Sequence, residues 1–504
     1  MAVTIGDNSP NSYRIHSITI SNQEGNSYEI SNLMQSFSIT ESIYQMFLTG
    51  NITILDDMNV YNRIGFTGQE YIRIHISGIQ GNEEDPPVDE HIDQIFRIFN
   101  VKMQVNTPKN AKLQLYTLEF CSPLLYSART QRISQAYRGK TGDILNKICK
   151  DKLLFTEREK DLTGRVKEGT ELGNFFSVFE HSGTEVIGTV IPNWSVFKTL
   201  RYLRDKTTDN SKNSRPWGNS YYFYQTASGG FRFHNVGDML TNKYLNDSVT
   251  FRPRFSDGDK TLNYDFADGT GNDILSYNKE DIHNVLHSHL DGTYSGIIQV
   301  FDTKSKTLNV IDSQFSQQFP LDGDSKYDYK ALSVAPSFRT APEVIKVPPD
   351  GGIEGSELDP AVTFGDATKT KSILETQSAI TFDYDNPFNF TNGVHKSGNM
   401  AGSDAPQKFD RDRVERLFEN NRVSIQISGR TNISCGMTIM VDIKQPTQTA
   451  ADVRDELTHN GRLLVEGITF VGTQDGLETQ LSCTTDGYQD NMDTFVDHEI
   501  GVGD

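Results

Sequence analysis

Apolar and polar residues alternate along both ends of the chain, and this period of two residues is the feature that most restricts its fold. Residues 13–20 alternate in this way, and residues 71–76 do so again with isoleucines on one face and Arg73 and His75 on the other. Such a period places successive side chains on opposite faces of a β-strand. Six or so such strands without an intervening helix in residues 1–122 predict a closed antiparallel barrel or a sandwich.

The end of the chain repeats the pattern of this first region. A hairpin is predicted at 98–121, and a second one at 465–484. With a shift of 367 positions, three apolar residues of the first hairpin correspond to three of the second: Ile98, Val101 and Met103 to Val465, Ile468 and Phe470. Each second strand ends in a cysteine followed by Ser or Thr. Either the chain carries two copies of one barrel, or two amphipathic hairpins are alike by chance.

A mixed α/β segment is predicted between these two strand regions. Thr141-Gly142-Asp143 signals the start of a helix that carries Ile144 and Ile148 on one face. Pro192 ends an apolar strand, and Asn193 occupies the position expected for the N-cap of a second helix. That helix has four large apolar residues at helical spacing: Val196, Phe197, Leu200 and Leu203.

An aromatic hairpin follows the second helix. Strands at 221–224 and 231–233 are joined by a turn that contains Ser228-Gly229-Gly230. We expect this hairpin to begin the second barrel. Large side chains here, such as Trp194 and Tyr222, are expected to lie in the core rather than at a contact surface.

The rest of the chain is assigned from composition and periodicity. Residues 313–410 are rich in Gly, Pro, Asp and Ser and lack periodicity, which predicts long loops. Periodicity returns in a predicted helix at 411–420 with Val414, Leu417 and Phe418 on one face.

The predicted fold class is therefore α+β and predominantly β, with two antiparallel tube-like β-barrels, an intervening mixed α/β domain and a long loop-rich insertion. The predicted segments are a first barrel at 1–122, a mixed α/β domain at 123–214, the start of the second barrel at 215–250, an inserted α/β segment at 251–312, the loop-rich insertion at 313–410, and the remainder of the second barrel with a C-terminal tail at 411–504.

Charge and apolar content argue against several classes of protein. A formal net charge of −19 opposes a nucleic-acid groove, which needs clustered Lys and Arg. No run of 18 apolar residues predicts a membrane-spanning helix, and the first residues lack the pattern of a secretory signal, so we expect synthesis in a cytoplasm. Four widely spaced cysteines fit neither a disulfide framework nor a zinc module, and they are predicted to be buried free thiols: Cys121, Cys149, Cys435 and Cys483.

The best candidate for a metal site in the sequence is a histidine cluster. His283, His287 and His289 include a pair at positions i and i+4, which can share a metal on a helix. The same segment is also explained as a packed amphipathic helix, and we favour that interpretation because the HExxH pattern is absent. The sequence contains no GxSxG, no phosphate-binding glycine loop and no GxGxxG. We therefore predict no catalytic residue, no cofactor and no metal.

Taken in order along the chain, several segments resemble the baseplate hub protein of contractile-tailed bacteriophages of the T-even type. The resemblance covers scattered parts of most of the chain and departs from the smaller family members at 313–410. It is carried by FLTGNITILDD at 47–57, IPNWSVFKTLRYL at 191–203, YYFYQTASGGFRF at 221–233, GTYSG at 292–296 and GRLLVEGITF at 461–470.

The resemblance implies a structural protein of the virion rather than an enzyme. In that family two barrels per subunit and three subunits form a ring of six barrels. The ring would bind the hexameric tail tube on one side and the trimeric central spike on the other, with other baseplate proteins and the tape measure protein as further partners. DNA would pass through the lumen without specific contacts, and an acidic lumen would prevent it from sticking.

Two other functions stay open at the level of sequence. A glycan-binding or cell-wall-degrading tail protein would also be β-rich, with exposed aromatics and long polar loops. An intracellular enzyme is the third, although no motif supports it. The oligomeric mass and an assay of peptidoglycan hydrolysis distinguish these functions.

Overall fold

A computed structural model describes a chain built mainly of strands. The described residues are 3–5, 12–78, 91–106, 113–153, 176–178, 186–207, 220–241, 250–253, 273–281, 295–302, 307–314, 335–336, 379–384, 390–391, 405–419, 421–443, 461–485 and 487–488. The predicted helix at 283–290 and most of the predicted insertion at 313–410 lie outside these residues.

The described strands number twenty-five. They are β1 Val3–Ile5, β2 Tyr13–Ser21, β3 Ser27–Glu29, β4 Met34–Ser42, β5 Thr49–Asp56, β6 Tyr71–Gly78, β7 Ile92–Asn106, β8 Gln114–Cys121, β9 Arg132–Lys140, β10 Phe176–Val178, β11 Val186–Ser195, β12 Tyr221–Gln225, β13 Phe231–Asn235, β14 Thr250–Pro253, β15 Asp273–Asp281, β16 Ser295–Asp302, β17 Thr307–Gln314, β18 Ala335–Pro336, β19 Ala379–Tyr384, β20 Phe390–Thr391, β21 Asn421–Ser428, β22 Thr438–Val441, β23 Gly461–Thr473, β24 Leu477–Thr484 and β25 Gly487–Tyr488.

The helices are short, and a single 3₁₀ turn lies at Ser31–Leu33. They are α1 Val60–Ile64, α2 Pro123–Thr130, α3 Thr141–Lys152, α4 Val196–Lys206, α5 Val236–Thr241 and α6 Ala405–Glu419. Helix α3 confirms the helix predicted to start at 141–143, and α6 confirms the helix predicted at 411–420 but begins at Ala405, inside the predicted loop-rich insertion. No helix in the described part of the chain is long and apolar enough to cross a membrane.

One sheet of fourteen strands runs through both ends of the chain. Its order is β1-β2-β6-β7-β8-β5-β4-β23-β22-β14-β15-β21-β24, with β3 beside β2 and a further pairing of β23 with β24. That further pairing closes β23, β22, β14, β15, β21 and β24 into a six-stranded barrel. The predicted C-terminal barrel therefore exists.

Six N-terminal strands follow one another in the sheet in the same order as the strands of the closed barrel. In chain order they are β2, β4, β5, β6, β7 and β8, and they correspond to β14, β15, β21, β22, β23 and β24. Within the described residues the N-terminal strands lack a counterpart of the β14–β15 pairing, and β2 runs antiparallel to β6 whereas β14 runs parallel to β22. The curl of the N-terminal sheet brings its end strands together, since the ring of Tyr13 in β2 lies 6.2 Å from that of Phe37 in β4. Tyr13 also donates a hydrogen bond of 2.9 Å to the carbonyl of Thr473 at the end of β23.

The two hairpins of the sequence repeat share a β-bulge at the same place. In β7 and β8 the register shifts between Ile98 and Asn100, and in β23 and β24 it shifts between Val465 and Gly467. Both pairs of positions differ by 367, the shift found in the sequence. The cysteines near the ends of the two second strands are not equivalent in pairing, because Ile98 pairs with Phe120 whereas Val465 pairs with Cys483.

A single hydrophobic core joins the N-terminal sheet and the closed barrel. It contains the inward residues of strands from both halves, such as Ile39, Phe120, Ile425 and Phe470. The strand β4 pairs with β23 along seven residues, from Ser36 to Ser42. Burial of this continuous apolar face holds the two halves as one unit.

A second core belongs to the mixed α/β unit. Helices α2, α3 and α4 pack with β9, β11, β12 and β13 around residues that include Ile144, Leu200 and Phe223. The predicted apolar face of α4 is correct: Val196, Leu200 and Leu203 are buried, and Phe197 packs partly buried against the core.

The predicted cap of α4 is wrong by two residues. Ser195 is the N-cap, and its side chain accepts a hydrogen bond from the backbone N–H of Lys198. Asn193 instead has a positive φ of 50° at the bulge between Ile191 and Trp194, where β11 pairs with β9. The strand therefore continues through the PNW sequence, because Trp194 still pairs with Ile133.

The aromatic hairpin forms as predicted but does not begin the second barrel. Strands β12 and β13 pair with each other and with β10 in a separate three-stranded sheet. The first strand of the closed barrel is β14, and β15 is its next strand in the sequence. Its aromatic side chains divide between the two cores: Tyr222 and Tyr224 pack in the first, and the others pack in the second, where Phe223 and Phe231 stack with ring centroids 5.2 Å apart.

Candidate interaction surface

On the outward face of the large sheet, neighbouring strands carry mostly small polar side chains. We call this surface the polar face. It extends over β5, β4, β23, β24 and β21, whose other face is buried in the core. Its residues are Asn51, Thr53 and Leu55; Ser36, Ser38, Thr40 and Ser42; Gly467, Thr469, Val471 and Thr473; Glu478, Gln480 and Ser482; and Ser424 and Gln426.

The strand register places these residues side by side across the junction of the two halves. Thr40 lies opposite Thr469, and Thr469 lies opposite Gln480, which in turn pairs with Gln426. The hydroxyls of Thr40 and Thr469 are 3.4 Å apart. One row of uncharged side chains therefore crosses from the N-terminal sheet into the closed barrel.

Charged groups on this face occur at its margins, where they form ion pairs or hydrogen bonds. Lys102 forms an ion pair with Glu119 on the β7–β8 margin. At the other margin Glu478 accepts a hydrogen bond from Gln426. The described strands β5, β4 and β23, at the centre, carry only uncharged residues on this side.

The polar face is concave over part of the barrel. Strands β4, β15, β21, β23 and β24 line a groove of about 660 Å³ that opens on this side. Ser276 and Asn278 of β15 extend the polar lining, and Tyr277 of the same strand is 37% exposed. An open groove of this kind suits docking of a large molecule better than capture of a small one.

Beneath the polar face, the carboxylate of Glu41 joins three parts of the chain. Glu41 lies in β4 and is 1% exposed. It accepts hydrogen bonds of 2.7 Å from the backbone N–H groups of Ala227, in the aromatic hairpin turn, and of Cys435, beside the closed barrel. Burial raises the pKa of Glu41, while the two N–H donors act in the opposite direction.

A second buried carboxylate lies at the bulge of β23. Glu466 is 2% exposed and pairs with Arg422, whose Nε lies 2.9 Å from its Oε2. Tyr44 donates a hydrogen bond to the same carboxylate. Burial raises the pKa of Glu466, and the Arg422 charge opposes that rise. Both buried acids are thus engaged in links between strands and loops.

The predicted positions of the large aromatics and the thiols are confirmed in the described residues. Tyr222 is 3% exposed, and Trp194 packs partly buried against the second core. All four cysteines are buried and free. His283, His287 and His289 lie outside the described residues, so their metal-binding hypothesis stays a prediction.

Sequence reasoning missed the polar face, although a signal for it is present. Ser and Thr occupy alternate positions of β4 in SFSITES, and Glu, Gln and Ser do so in the ETQLSCTT segment of β24. Alternation alone gives an outward face for each strand. It does not show that β4 and β23 are neighbours, and only that pairing makes the face continuous.

No protein-family model and no curated protein matches the chain, but solved structures do. The tail protein from Neisseria meningitidis MC58 aligns over 95% of this chain and 98% of that chain, at 9% identity and a TM-score of 0.47. The 43 kDa tail protein of prophage MuSo2 from Shewanella oneidensis aligns over 94% and 98%, at 9% identity and a TM-score of 0.44.

The E. coli c3393 protein is a third structure to which the chain is similar. It is a component of the type VI secretion system that exhibits structural similarity to the T4 tail proteins gp27 and gp5. It aligns over 95% of this chain and 79% of that chain, at 8% identity and a TM-score of 0.33. The structures to which the chain is similar are thus two tail proteins, one of them from a prophage, and a component of the type VI secretion system.

Proposed function

We propose that the chain is a structural protein of a phage tail baseplate, in which three copies form a hub ring. The ring joins the hexameric tail tube to the trimeric central spike, and the polar face lines its DNA channel. The protein acts in the virion after assembly in the cytoplasm of the bacterial host.

The observation that carries this proposal is the uncharged polar face that continues from β5 through β4 into β23 and β24. Proteins bind DNA largely through Lys and Arg, which displace counterions from the phosphates. Hydroxyl and amide side chains hydrate the surface but provide no such attraction. DNA can therefore slide along this face without being held. The net charge of the chain led us to expect acids here, and the centre of the face carries neutral groups instead.

The internal symmetry of the chain supports the ring. Six N-terminal strands and six barrel strands share one neighbour order and one bulge position. If each set acts as one barrel, three chains present six similar units. Such a ring matches a six-fold partner on one side and a three-fold partner on the other.

A structural role also fits the chemistry of the buried acids. Glu41 and Glu466 are committed to backbone N–H groups and to Arg422, so neither is placed to act on a substrate. We therefore propose no catalytic activity. Peptidoglycan hydrolysis by the purified chain would instead support the cell-wall-degrading alternative.

Light scattering of the purified protein tests the assembly. One chain has a mass of 56.7 kDa, and a trimer would have about 170 kDa. We expect the trimer mass, alone or after addition of the trimeric spike of the same tail. A mass of one chain under both conditions would contradict the hub ring.

A further inference from the structure

Three histidines converge on the outer face of the N-terminal sheet, away from the polar face. His75 lies in β6, His16 in the neighbouring β2, and His91 immediately before β7. The strand pairing explains why they meet. A bulge between Ile15 and Ser17 places His16 and Ser17 together opposite His75.

The third histidine reaches the same face from the other side of β6. Ile76 of β6 pairs with Ile92 of the antiparallel β7. The residue after Ile76, Ser77, therefore lies opposite the residue before Ile92, His91. Ser77 and His75 are two positions apart and share a face of β6. The bulge in β2 and the start of β7 thus gather three imidazoles on adjacent strands.

The ring nitrogens of these histidines are close enough to share one ion. One nitrogen from each of the three lies within 4.8 Å of the others. Nε2 of His75 and Nδ1 of His91 are 3.2 Å apart. Two nitrogens at the usual Zn–N distance in a tetrahedral site are separated by about 3.3 Å, so this pair already has the required spacing. The ring of His16 stacks on both, with centroids 4.3 and 4.9 Å away.

We propose that His16, His75 and His91 form a site for a divalent transition metal of the zinc class, with a fourth position for water. Imidazole nitrogen suits Zn²⁺, Co²⁺, Ni²⁺ and Cu²⁺, whereas Mg²⁺ and Ca²⁺ require oxygen ligands. A bound ion would connect β2, β6 and β7 at one point and so stabilise the outer wall of the N-terminal sheet.

The surroundings of the three rings are compatible with a cation. The nearest positive side chain, Arg73, is neutralised by a two-point pair with Asp93, whose oxygens lie 2.9 and 3.0 Å from its nitrogens. The Ser77 hydroxyl lies 3.0 Å from Nε2 of His16 and holds that ring near the other two.

Metal titration of the full-length protein tests the site. The protein is stripped with a chelator and titrated with Zn²⁺ in a calorimeter and with Co²⁺ under visible absorption. We expect one ion per chain and the d–d bands of tetrahedral Co²⁺ with nitrogen ligands. Absence of both signals in the wild-type protein overturns the proposal without the need for any variant.

Two sets of variants locate the ion. His75→Ala and His16→Ala are each expected to weaken Zn²⁺ binding by at least about 10-fold, since even the loss of a group that only hydrogen-bonds to a ligand lowers metal affinity by about 10–100-fold. The matched control replaces His283, His287 and His289 with Ala and is expected to leave the affinity unchanged. Unchanged binding in the first set, or loss of binding in the control, contradicts the assignment to His16, His75 and His91.

Discussion

The carboxylate of Glu41 accepts a hydrogen bond from the backbone N–H of Cys435 at 2.7 Å, across 394 positions of the sequence. The same group also binds the N–H of Ala227. One side chain thus holds together the N-terminal sheet, the closed barrel and the aromatic hairpin.

Glu41→Ala is expected to destabilise the protein strongly. The change leaves two buried N–H groups without their acceptor, and each such group costs about 1–3 kcal/mol, or about 2–6 kcal/mol in total. Glu41→Gln is expected to lie between alanine and wild type, because its amide offers one acceptor oxygen. Urea unfolding at pH 7 measures the effect, with the exposed Glu24→Ala as control. Equal stability of the Glu41→Ala and Glu24→Ala proteins would show that the link is unimportant.

Lysines on the polar face are expected to make the protein bind DNA. Ser38→Lys and Thr469→Lys together add two cations per chain at the centre of the face, where wild type has none in the described strands. We expect double-stranded DNA to bind at least about 10-fold more tightly at low salt, with an affinity that falls as salt rises. The control is Ser134→Lys, which adds a cation at an exposed position of β9 in the mixed α/β unit. Equal DNA affinity of the double variant and the Ser134→Lys control would contradict a role of the polar face as a path for DNA.

His234 is expected to make stability depend on pH. Burial lowers its pKa to about 4, so the unfolded chain binds the proton first. This contribution is complete above pH 6.5 and is lost as the pH falls from about 6.5 towards 4, by about 1.4 kcal/mol per pH unit.

The variant His234→Gln isolates this effect. Between pH 7 and pH 5 it should lose about 2 kcal/mol less of its unfolding free energy than wild type does. The measurement is urea unfolding at the two pH values. The same pH dependence in both proteins would place the source of the acid sensitivity elsewhere.

The junction between β4 and β23 is expected to be sensitive to a single methyl group. A Cβ at Gly472 would lie 2.0 Å from Cε1 of Phe37, its cross-strand partner. Gly472→Ala should therefore lower stability by about 1–3 kcal/mol through overpacking. At Gly467, on the same strand, the nearest atom would be 3.5 Å away, so Gly467→Ala is the matched control. Thermal melting distinguishes them, and two equal melting temperatures would contradict the close packing.

Much of the local structure follows from the sequence, because the relevant signals are local. Alternation in β2 and β6, the helical spacing in α4 and the glycine turn between β12 and β13 each depend on a few neighbouring residues. The hairpin repeat was also visible in the sequence, and its shift of 367 positions separates the bulges in β7 and β23.

The unpredicted features depend on pairing between distant residues. No local sequence signal shows that β14 belongs to the closed barrel, or that the aromatic hairpin lies outside it. His16 and His75 are 59 positions apart in the sequence, and they lie opposite each other only because of the bulge in β2. Asn193 suits an N-cap by type, but the pairing of Trp194 with Ile133 extends the strand past it.

Electron cryomicroscopy of the assembled protein, alone or in a purified tail, tests the central claim most directly. The account predicts a three-fold ring in which β4 and β23 face the central channel and Ser38, Thr40 and Thr469 line its wall. A monomer without a ring, or a ring in which a neighbouring subunit covers these three residues, would contradict it.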